Sequence, residues 1–341
     1  MGIKDLNAFL LKHTTNSIVN GTLDTLSNKK VAIDTSIFLY KFKYRSNNII
    51  PKFLEQINRL RLNKITPIYI FDGKPPIEKQ EIIQKRKERK IENILKIEEL
   101  KNKLLITPPE NTADYVAVKE QLNKCEIKNI SVTHKDILEL KHFLDLLKIQ
   151  YIQSCGEADM VCSKLCETGI VDMVMSEDMD ILTSNSKILL RNFNINSNKI
   201  IIYNLDTILN ELGVTYEEWV KLCILFGCDY LKRLHSVGPV YSYNLIKKLG
   251  NNNSSEHIIQ ELSKKKNMVI PDDYKEKFDK AYSIFTDYKL GPGETGTNLQ
   301  SVVPEKIVLL EKDRGDLTQY LLKNTGLSIK KINNRINNIY Y

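Results

Sequence analysis

The sequence lacks the features of membrane-spanning and secreted proteins. None of its apolar runs reaches the roughly 18 residues that a membrane-spanning helix needs. The N-terminus does not join a basic start to an apolar stretch, as a secretion signal would, and position 6 is Leu6 rather than the Ser or Thr of a myristoylation signal. We therefore expect an intracellular protein that is not secreted and has no membrane partner.

Cysteine and histidine patterns that bind zinc are also missing. The six cysteines include no Cys-x-x-Cys pair, and the five histidines are scattered without the spacing of metal ligands. No combination of Ser, His and Asp, or of Cys and His, suggests a covalent nucleophile. We interpret the cysteines as reduced, mostly buried thiols, and we do not expect a zinc site.

Charged residues are abundant and slightly unbalanced. The chain of 341 residues has 50 Lys and Arg against 42 Asp and Glu, a net charge of +8, and 42% of its residues are hydrophobic. These values are typical of a globular protein with one large domain or two modest ones. The positive excess is a weak indication of a polyanionic partner.

Three short apolar runs have the composition of buried strands, and each leads to an acid. They are residues 31–33 before Asp34, residues 67–71 before Asp72, and residues 172–175 before Asp178 and Asp180. Helical patterns lie between the runs, at residues 53–62, 135–147 and 158–167. Strands that alternate with helices predict a parallel α/β sheet flanked by helices.

The acids suggest a metal site. One Asp after a strand is usually turn chemistry, but several at the carboxyl edge of a parallel sheet lie close together. The candidate metal ligands are Asp34, Asp72, Glu157, Asp159, Asp178, Asp180 and Asp229. Neighbouring carboxylates need cations to offset their repulsion, and oxygen ligands favour Mg²⁺ or Mn²⁺ over zinc. Two such ions can activate a water molecule and stabilise the oxygen that leaves a phosphodiester.

A long basic segment follows the second of these acids. Residues 74–103 contain ten basic and six acidic side chains, so half of the net charge lies there. Nothing breaks a helix from Ile77 to Ile106. Such a helix is most often a solvated surface, and Lys85-Arg86-Lys87 also resembles a nuclear localisation signal. However, Lys79 and Arg86 are nearly two helical turns apart and point to the same side, where they would face the acids.

The last third of the chain begins with a helical pattern. Helices are predicted at residues 219–226 and from about residue 241 to residue 249, with Gly238 in the turn between them. Two helices with a glycine-containing connection can hold a phosphate backbone through helix N-terminal amides. Residues from Lys266 onwards are expected to be less regular.

Taken in order, these motifs resemble the flap-endonuclease/5′-exonuclease family of structure-specific 5′ nucleases (XPG-type), and flap endonucleases most closely. Six blocks within residues 1–250 carry the likeness: Met1-Gly2-Ile3, Val31-Ala32-Ile33-Asp34, Phe71-Asp72-Gly73-Lys74-Pro75-Pro76, Gly156-Glu157-Ala158-Asp159, Ser176-Glu177-Asp178-Met179-Asp180 and Gly227-Cys228-Asp229-Tyr230. The combination is highly specific, although no single block is. It implies an α/β fold, a PIN-like nuclease core with a parallel-type central sheet flanked by helices, a helical arch and a helix-two-turn-helix DNA-binding motif.

The resemblance also implies roles for the acids and the basic residues. It implies two Mg²⁺ ions, for which Mn²⁺ can substitute, one held by Asp34, Asp72, Glu157 and Asp159 and the other by Asp178, Asp180 and Asp229. The catalytic residues that it implies are Lys79, Arg86 and Asp178. The DNA-binding residues expected from it and from the basic segment are Gly2, Tyr40, Arg89, Lys90, Gly227 and Gly238.

The implied organisation is a nuclease core over residues 1–265 and a C-terminal extension over residues 266–341 that packs on the core or trails from it. The parts of the core are an N-terminal half (1–76), an arch (77–133, with a second helical stretch near 115–122) and an internal half (134–265) that includes the helix-two-turn-helix (221–250).

Some positions depart from the family pattern. Asp5 and Ser236 stand where the family has glycine, and Val240 stands where it has a basic residue after the turn. The resemblance implies a K⁺ ion at this turn, an expectation that Ser236 and Val240 weaken. No clear sliding-clamp box precedes Tyr340-Tyr341, because Asn337 occupies its aliphatic position.

The leading hypothesis is a Mg²⁺-dependent 5′ flap endonuclease that acts on branched or nicked DNA in replication, repair or recombination. We expect a monomer in the nucleus or at a viral or cytoplasmic replication site. A 5′→3′ exonuclease of double-stranded DNA, a non-catalytic DNA-junction binding protein and a small-molecule Mg²⁺ phosphohydrolase stay open as alternatives. The presence of every expected carboxylate argues against the non-catalytic binder, and the phosphohydrolase leaves the basic segment unexplained.

Overall fold

The centre of the protein is a seven-stranded sheet. The structure, a computed structural model, describes residues 2–44, 46, 48–107, 112–291, 294 and 310–340. The strands are β1 (Ile18–Thr22), β2 (Lys30–Asp34), β3 (Thr66–Phe71), β4 (Tyr151–Gln153), β5 (Met173–Met175), β6 (Ile188–Arg191) and β7 (Lys199–Asn204). They lie in the order β1-β7-β6-β5-β2-β3-β4.

Five neighbouring strands, from β6 to β4, are parallel, which confirms the predicted parallel centre. In β2, residues 31–34 are all buried, as expected for a strand that is covered on both faces. β7 and β1 extend the sheet in the antiparallel direction. The sequence analysis predicted only β2, β3 and β5. It missed β4 and β6, which have three and four residues, and β1 and β7, whose residues are mostly half-buried or exposed. The sheet is therefore mixed rather than wholly parallel.

Helices surround the sheet. The α-helices of the described ranges are α1 (Leu6–His13), α2 (Thr35–Lys43), α3 (Ile50–Leu62), α4 (Gln80–Ile106), α5 (Thr112–Lys128), α6 (His134–Leu146), α7 (Ala158–Glu167), α8 (Asp180–Thr183), α9 (Leu205–Leu212), α10 (Tyr216–Phe226), α11 (Pro239–Leu249), α12 (Ser255–Ser263), α13 (Tyr274–Thr286), α14 (Glu311–Thr325) and α15 (Ile329–Tyr340). Short 3₁₀ turns occur at Leu23–Leu26, Ile77–Lys79 and Gly250–Asn252. The helices predicted between the strands and in the last third are present as α3, α6, α7, α10 and α11. None of the described helices has both the length and the apolar character needed to cross a membrane.

Apolar side chains cover both faces of the sheet. A first core lies against α7 and α10 and includes the fully buried Trp219 and Phe226. A second core lies against α2, α3 and α6 and includes the fully buried Phe53 and Phe143. Since helices cover the two faces, a ligand site is left to the ends of the strands.

The basic segment forms a pair of long helices with its own small core. A 3₁₀ turn at Ile77–Lys79 leads into α4, and α5 is longer than the stretch predicted near residues 115–122. The two helices pack through a separate apolar cluster, Ile97, Leu100, Val118, Leu122 and Cys125. Most other side chains of α4 are exposed, as expected for a charged helix.

The prediction of a less regular chain beyond Lys266 was wrong for the described residues. α13, α14 and α15 are regular helices. In α15 the buried residues are Ile332, Ile336 and Ile339, which repeat at helical spacing among Asn and Lys and pack against α3 in the second core. The apolar stripe is narrow, so the mostly polar composition of this segment did not indicate a helix that packs on the core.

Candidate active site

Neighbouring strands bring the predicted acids to one edge of the sheet. β2 ends at Asp34, and Asp72 follows the adjacent strand β3. On the other side of β2, β5 leads to Asp178 and Asp180, the latter at the start of α8. The Ser176 hydroxyl, which follows β5, donates a hydrogen bond to Asp34 Oδ2 at 3.0 Å and so joins the two strand ends.

Two helices add the remaining acids. Glu157 is the N-cap of α7 and Asp159 lies in its first turn, where the helix dipole favours negative charge. The amide of Ala158 donates to Asp72 Oδ1 at 2.8 Å, which attaches the start of α7 to the end of β3. Asp229 follows the C-terminus of α10. The structure thus brings all seven predicted ligands to one region.

The electrostatics of this region are those of crowded carboxylates. Burial, and then repulsion from Asp72, raises the pKa of Asp34 to about 7. Burial also raises the pKa of Asp159 well above its usual value, with further repulsion from Glu157. The pKa of Asp180 is raised in the same way, by burial and then by Asp178. These acids would ionise more readily beside a cation.

The carboxylate oxygens of these acids are suitable ligands for a divalent cation, but their present arrangement does not surround a single point. The Oδ1 atom of Asp180 is buried and has no hydrogen-bond partner in the described part of the chain. Among the same residues, no three His, Cys, Asp or Glu side chains form a group that could hold a metal ion as they stand. Protein donors occupy several of the acids instead: the Ser36 hydroxyl donates to Asp72, and the Lys79 ammonium contacts Glu157.

Lys79 and Arg86 both reach the acids. The Nζ atom of Lys79 lies 2.7 Å from Glu157 Oε1 and 3.7 Å from Asp229 Oδ2. Burial alone would lower the pKa of Lys79, but Asp159, Glu157 and Asp229 together raise it above its usual value. Nearly two helical turns further along the chain, a guanidinium nitrogen of Arg86 lies 3.4 Å from Asp229 Oδ2. The two basic residues therefore point to the same side, toward the acids.

Tyr230 is a site residue that the sequence analysis did not single out. Its hydroxyl donates to Glu157 Oε2 at 2.8 Å, and the Lys79 ammonium lies 5.2 Å from the centre of its ring. Tyr230 thus contacts both partners of the Lys79–Glu157 pair. Its position directly after Asp229, within a block that carries the family likeness, is the signal that would have identified it.

Gly2 lies against the acids that follow β5. It has a positive φ of 84°, and a Cβ atom added there would come within 2.0 Å of Asp178 Oδ1 and 2.7 Å of Asp180 Oδ1. A side chain would therefore displace the Asp178 carboxylate as well as strain the backbone. The N-terminal segment is held nearby, because the amide of Lys4 donates to the Gly227 carbonyl at 3.1 Å.

The other predicted DNA-binding residues lie on the surface or in turns. Tyr40 on α2 is half exposed, and Arg89 and Lys90 on α4 are exposed. Gly227 has a φ of 95°, and a Cβ atom there would lie 2.9 Å from the Arg233 amide nitrogen, so this position requires glycine. Gly238 is the N-cap of α11, with an ordinary φ of −88° and open space around it, so the fold does not require glycine there.

Two positions where the family has glycine keep the left-handed conformation here. Asp5 has a φ of 57° and Ser236 a φ of 63°. The Asp5 carboxylate also lies 2.6 Å from a guanidinium nitrogen of Arg233, which connects the N-terminal turn to the segment after α10. Both turns therefore hold a non-glycine residue in the backbone conformation that glycine adopts most easily.

Comparison with known proteins gives consistent matches. A family model of the XPG N-terminal domain matches residues 1–93, and one of the XPG I-region matches residues 148–229. Flap endonuclease 1 of Entamoeba histolytica is 34% identical over 315 residues, which cover 85% of this chain and 79% of that protein. Flap endonuclease 1 of Encephalitozoon cuniculi is 29% identical, with 99% of this chain and 94% of that protein covered.

Solved structures have the same fold. The catalytic core of Rad2 in complex with DNA substrate matches with a TM-score of 0.70 at 22% identity, over 99% of this chain and 100% of that chain. Flap endonuclease-1 from Methanococcus jannaschii matches with a TM-score of 0.61 at 21% identity, over 95% and 96%. The Holliday junction-resolving enzyme GEN1, in complex with product DNA, Mg²⁺ and Mn²⁺, matches with a TM-score of 0.67 at 16% identity, over 98% and 77%. With both XPG regions in order, a PIN-like fold and a relative that is 34% identical over most of its length, the chain belongs to the flap endonuclease family.

Proposed function

We propose that this chain is a structure-specific 5′ nuclease that hydrolyses phosphodiesters of DNA where a 5′ flap meets a duplex. The observation that carries the proposal is that Lys79 and Arg86, at the base of the basic helix α4, reach the acids that the strand ends bring together. Carboxylates that can hold metal ions thus lie beside cations that can hold a phosphate. The names of the relatives and the DNA bound to the Rad2 core support the same function.

The acids are proposed to hold two Mg²⁺ ions. Asp34, Asp72, Glu157 and Asp159 would hold one ion, and Asp178, Asp180 and Asp229 the other. The hard oxygen donors, the raised pKa values and the unpartnered Oδ1 of Asp180 support this assignment. Bound there, the ions would lower the pKa of a water molecule and offset the charge on the scissile phosphate. Mn²⁺ binds the same kind of oxygen ligands, so we expect it to substitute.

The basic residues are proposed to stabilise the negative charge that develops on the phosphate. Lys79 is nearly buried and is held by Glu157, so its ammonium is in place before DNA binds. Arg86 is half exposed and pairs only loosely with Asp229, so it can turn to a phosphate. Asp178, in contact with the main chain of Gly2, is the acid whose loss we expect to abolish cleavage.

DNA contacts are proposed to come from phosphate recognition rather than from base readout. The exposed basic residues Arg89 and Lys90 on α4 and the turn at Gly238 before α11 offer such contacts, and Tyr40 is exposed enough to stack on a base. The roles of Gly2 and Gly227 as DNA-contacting residues stay predictions. Selectivity would come from the shape of branched or nicked DNA, and binding should weaken steeply as salt rises.

The terminal helix gives little support for a sliding-clamp partner. The hydroxyl of Tyr340, in the expected position of a clamp-binding aromatic, donates to the Leu147 carbonyl at 2.6 Å, so the core of the protein already holds it. Tyr341 lies outside the described residues. We propose that the chain acts as a monomer inside the cell, at nuclear DNA or at a viral or cytoplasmic replication site. We also propose that residues 266–341 form an extension that packs on a nuclease core of residues 1–265, since side chains of this extension lie in both apolar cores.

The test is cleavage of a 5′-labelled flap substrate beside a nicked duplex, with Mg²⁺ or EDTA, and with the cut mapped to the nucleotide. The protein carries no N-terminal tag, because Gly2 lies against Asp178. Asp178→Ala is the inactive variant, and Asp206→Ala, which removes an exposed acid on α9, is the matched control. We expect Mg²⁺-dependent cutting at the base of the flap that only Asp178→Ala abolishes.

The other outcomes select among the alternatives. Faster degradation from a nick than from a flap would identify a 5′→3′ exonuclease. Asp159 and the block Cys228-Asp229-Tyr230-Leu231 resemble that branch of the family, whereas Gly73-Lys74-Pro75-Pro76 resembles the flap branch. Binding to the flap substrate without cutting would identify a junction-binding protein. Turnover of a small phosphomonoester that added DNA does not inhibit would identify a phosphohydrolase.

A further inference from the structure

The turn before α11 receives positive charge from a distant part of the chain. No Lys or Arg occurs from Ser236 to Ile246. The Nζ atom of Lys265, which follows α12, nevertheless donates a hydrogen bond to the main-chain carbonyl of Ser236, 29 residues earlier. The same ammonium lies 4.3 Å from the centre of the Tyr241 ring. An ammonium therefore sits on the turn although the turn itself has no basic residue.

The contacts of this ammonium are neutral, so its charge is not cancelled. A carbonyl oxygen and an aromatic face are the ligands that a monovalent cation also accepts. No carboxylate of the described residues pairs with Lys265. The adjacent Lys264 differs, because it pairs with the carboxylate of Glu261. Lys265 can therefore attract a phosphate, whereas Lys264 is held by the carboxylate of Glu261, which also pairs with Lys248.

These contacts do not fit the K⁺ ion that the family resemblance implies at this turn. The Ser236 carbonyl is the kind of neutral oxygen that binds K⁺, and it already accepts a hydrogen bond from Lys265. A K⁺ ion on the same oxygen would be repelled by the ammonium. Ser236 keeps the left-handed φ of 63°, so its carbonyl is presented although glycine is absent.

We propose that the ammonium of Lys265 takes the place of a bound potassium ion, so that this motif binds the phosphate backbone of duplex DNA without K⁺. The start of α11 adds to the attraction. Pro239 occupies the first helical position, and the next amides, of Val240 and Tyr241, belong to the first turn, which has no acceptors within the helix. Lys265, which contacts Ser236 and the Tyr241 ring, thus lies at the turn that leads into these amides. The inference rests on the proposed DNA-binding function.

The experiment measures the Kd of a labelled nicked duplex in EDTA, which prevents cleavage, at one ionic strength set with potassium chloride or with tetramethylammonium chloride. We expect the wild-type Kd to agree within about twofold in the two salts, because phosphate contacts depend on total salt and not on K⁺ itself. Lys265→Met should bind severalfold more weakly, with a slope of log Kd against log salt that is smaller by about one. Lys265→Arg should stay near the wild type.

The matched control is Lys264→Met, which removes a neighbouring charge of the same segment and should leave the Kd unchanged. Thermal melting of each variant verifies that it folds. Wild-type binding that is severalfold tighter in K⁺ than in tetramethylammonium would overturn the inference alone, and so would equal effects of Lys265→Met and Lys264→Met. Absence of wild-type binding in both salts would overturn the proposed function, and this inference with it.

Discussion

The ammonium of Lys79 lies 2.7 Å from the carboxylate of Glu157, within a site where most of the other charges are negative. The side chain of Lys79 is only 11% exposed and that of Glu157 16%, so water screens their attraction weakly. Tyr230 contacts both, through its hydroxyl on Glu157 and its ring beside Lys79. Lys79 thus places a buried positive charge among the acids of the site.

Replacement of Lys79 by Met should lower the cleavage rate by about 10²- to 10³-fold, since it removes a positioned charge that stabilises the phosphate. Single-turnover cleavage of the flap substrate at saturating protein measures this effect apart from DNA binding. Lys187→Met, which removes a charge from an exposed side chain, should cleave as the wild type does. Unchanged cleavage by Lys79→Met would show that the pair with Glu157 is only structural.

Replacement of Gly2 by Ala should lower cleavage by at least about tenfold, because the added methyl group displaces the Asp178 carboxylate and small displacements at a reacting centre are costly. Gly169→Ala is the matched control: its φ of 74° imposes the same kind of strain, but nothing lies within 4 Å of the added Cβ. Both variants should lose about 1 kcal/mol of unfolding free energy, measured with urea. Equal cleavage by the two variants would contradict the assigned role of Gly2.

Without divalent ions, the stability of the protein should fall as the pH rises from about 4 to about 7. The pKa of Asp34 is raised from 3.8 to about 7 in the folded state, so the folded protein binds more protons than the unfolded chain over this range. The loss for Asp34 alone is of the order of 4 kcal/mol. Asp159 and Asp180 act in the same direction, because their pKa values are also raised.

Thermal melting in EDTA from pH 4 to pH 8 tests this dependence, and Asp34→Asn should flatten it. Mg²⁺ should raise the melting temperature more at pH 8 than at pH 5, because the ions bind ionised carboxylates of the folded state. Stability in EDTA that increases with pH over this range would disagree with the crowded-carboxylate description.

Helix α15 should contribute substantially to stability. Ile336→Ala, at a fully buried position against the second core, should cost about 2–5 kcal/mol of unfolding free energy. Ile329→Ala, in the same helix but 57% exposed, should cost no more than about 0.5 kcal/mol. Urea unfolding of both variants measures the difference. Similar small losses would mean that the helix does not pack on α3 in solution.

Four of the metal-ligand candidates, Asp34, Asp72, Asp178 and Asp180, were accessible to sequence reasoning because they come after continuous apolar runs. In a parallel sheet such a run specifies both a buried strand and the edge at which it ends, so Asp34 and Asp72 could be placed together before the fold was known. The amphipathic helix α15 was missed for the opposite reason. Its isoleucines are diluted by Asn and Lys, and only their spacing, not their number, marks the buried face.

The sequence by itself determined the strand–acid pattern, the basic helix that follows Asp72 and the family to which these blocks belong, because all of them depend on residues that are near neighbours in the chain. Only the tertiary structure decided that Lys79 pairs with Glu157 and that Lys265 reaches the carbonyl of Ser236. Such contacts join elements that are far apart in sequence. Which residues form these contacts depends on how the helices pack on the sheet and on one another. A local sequence pattern does not specify that packing.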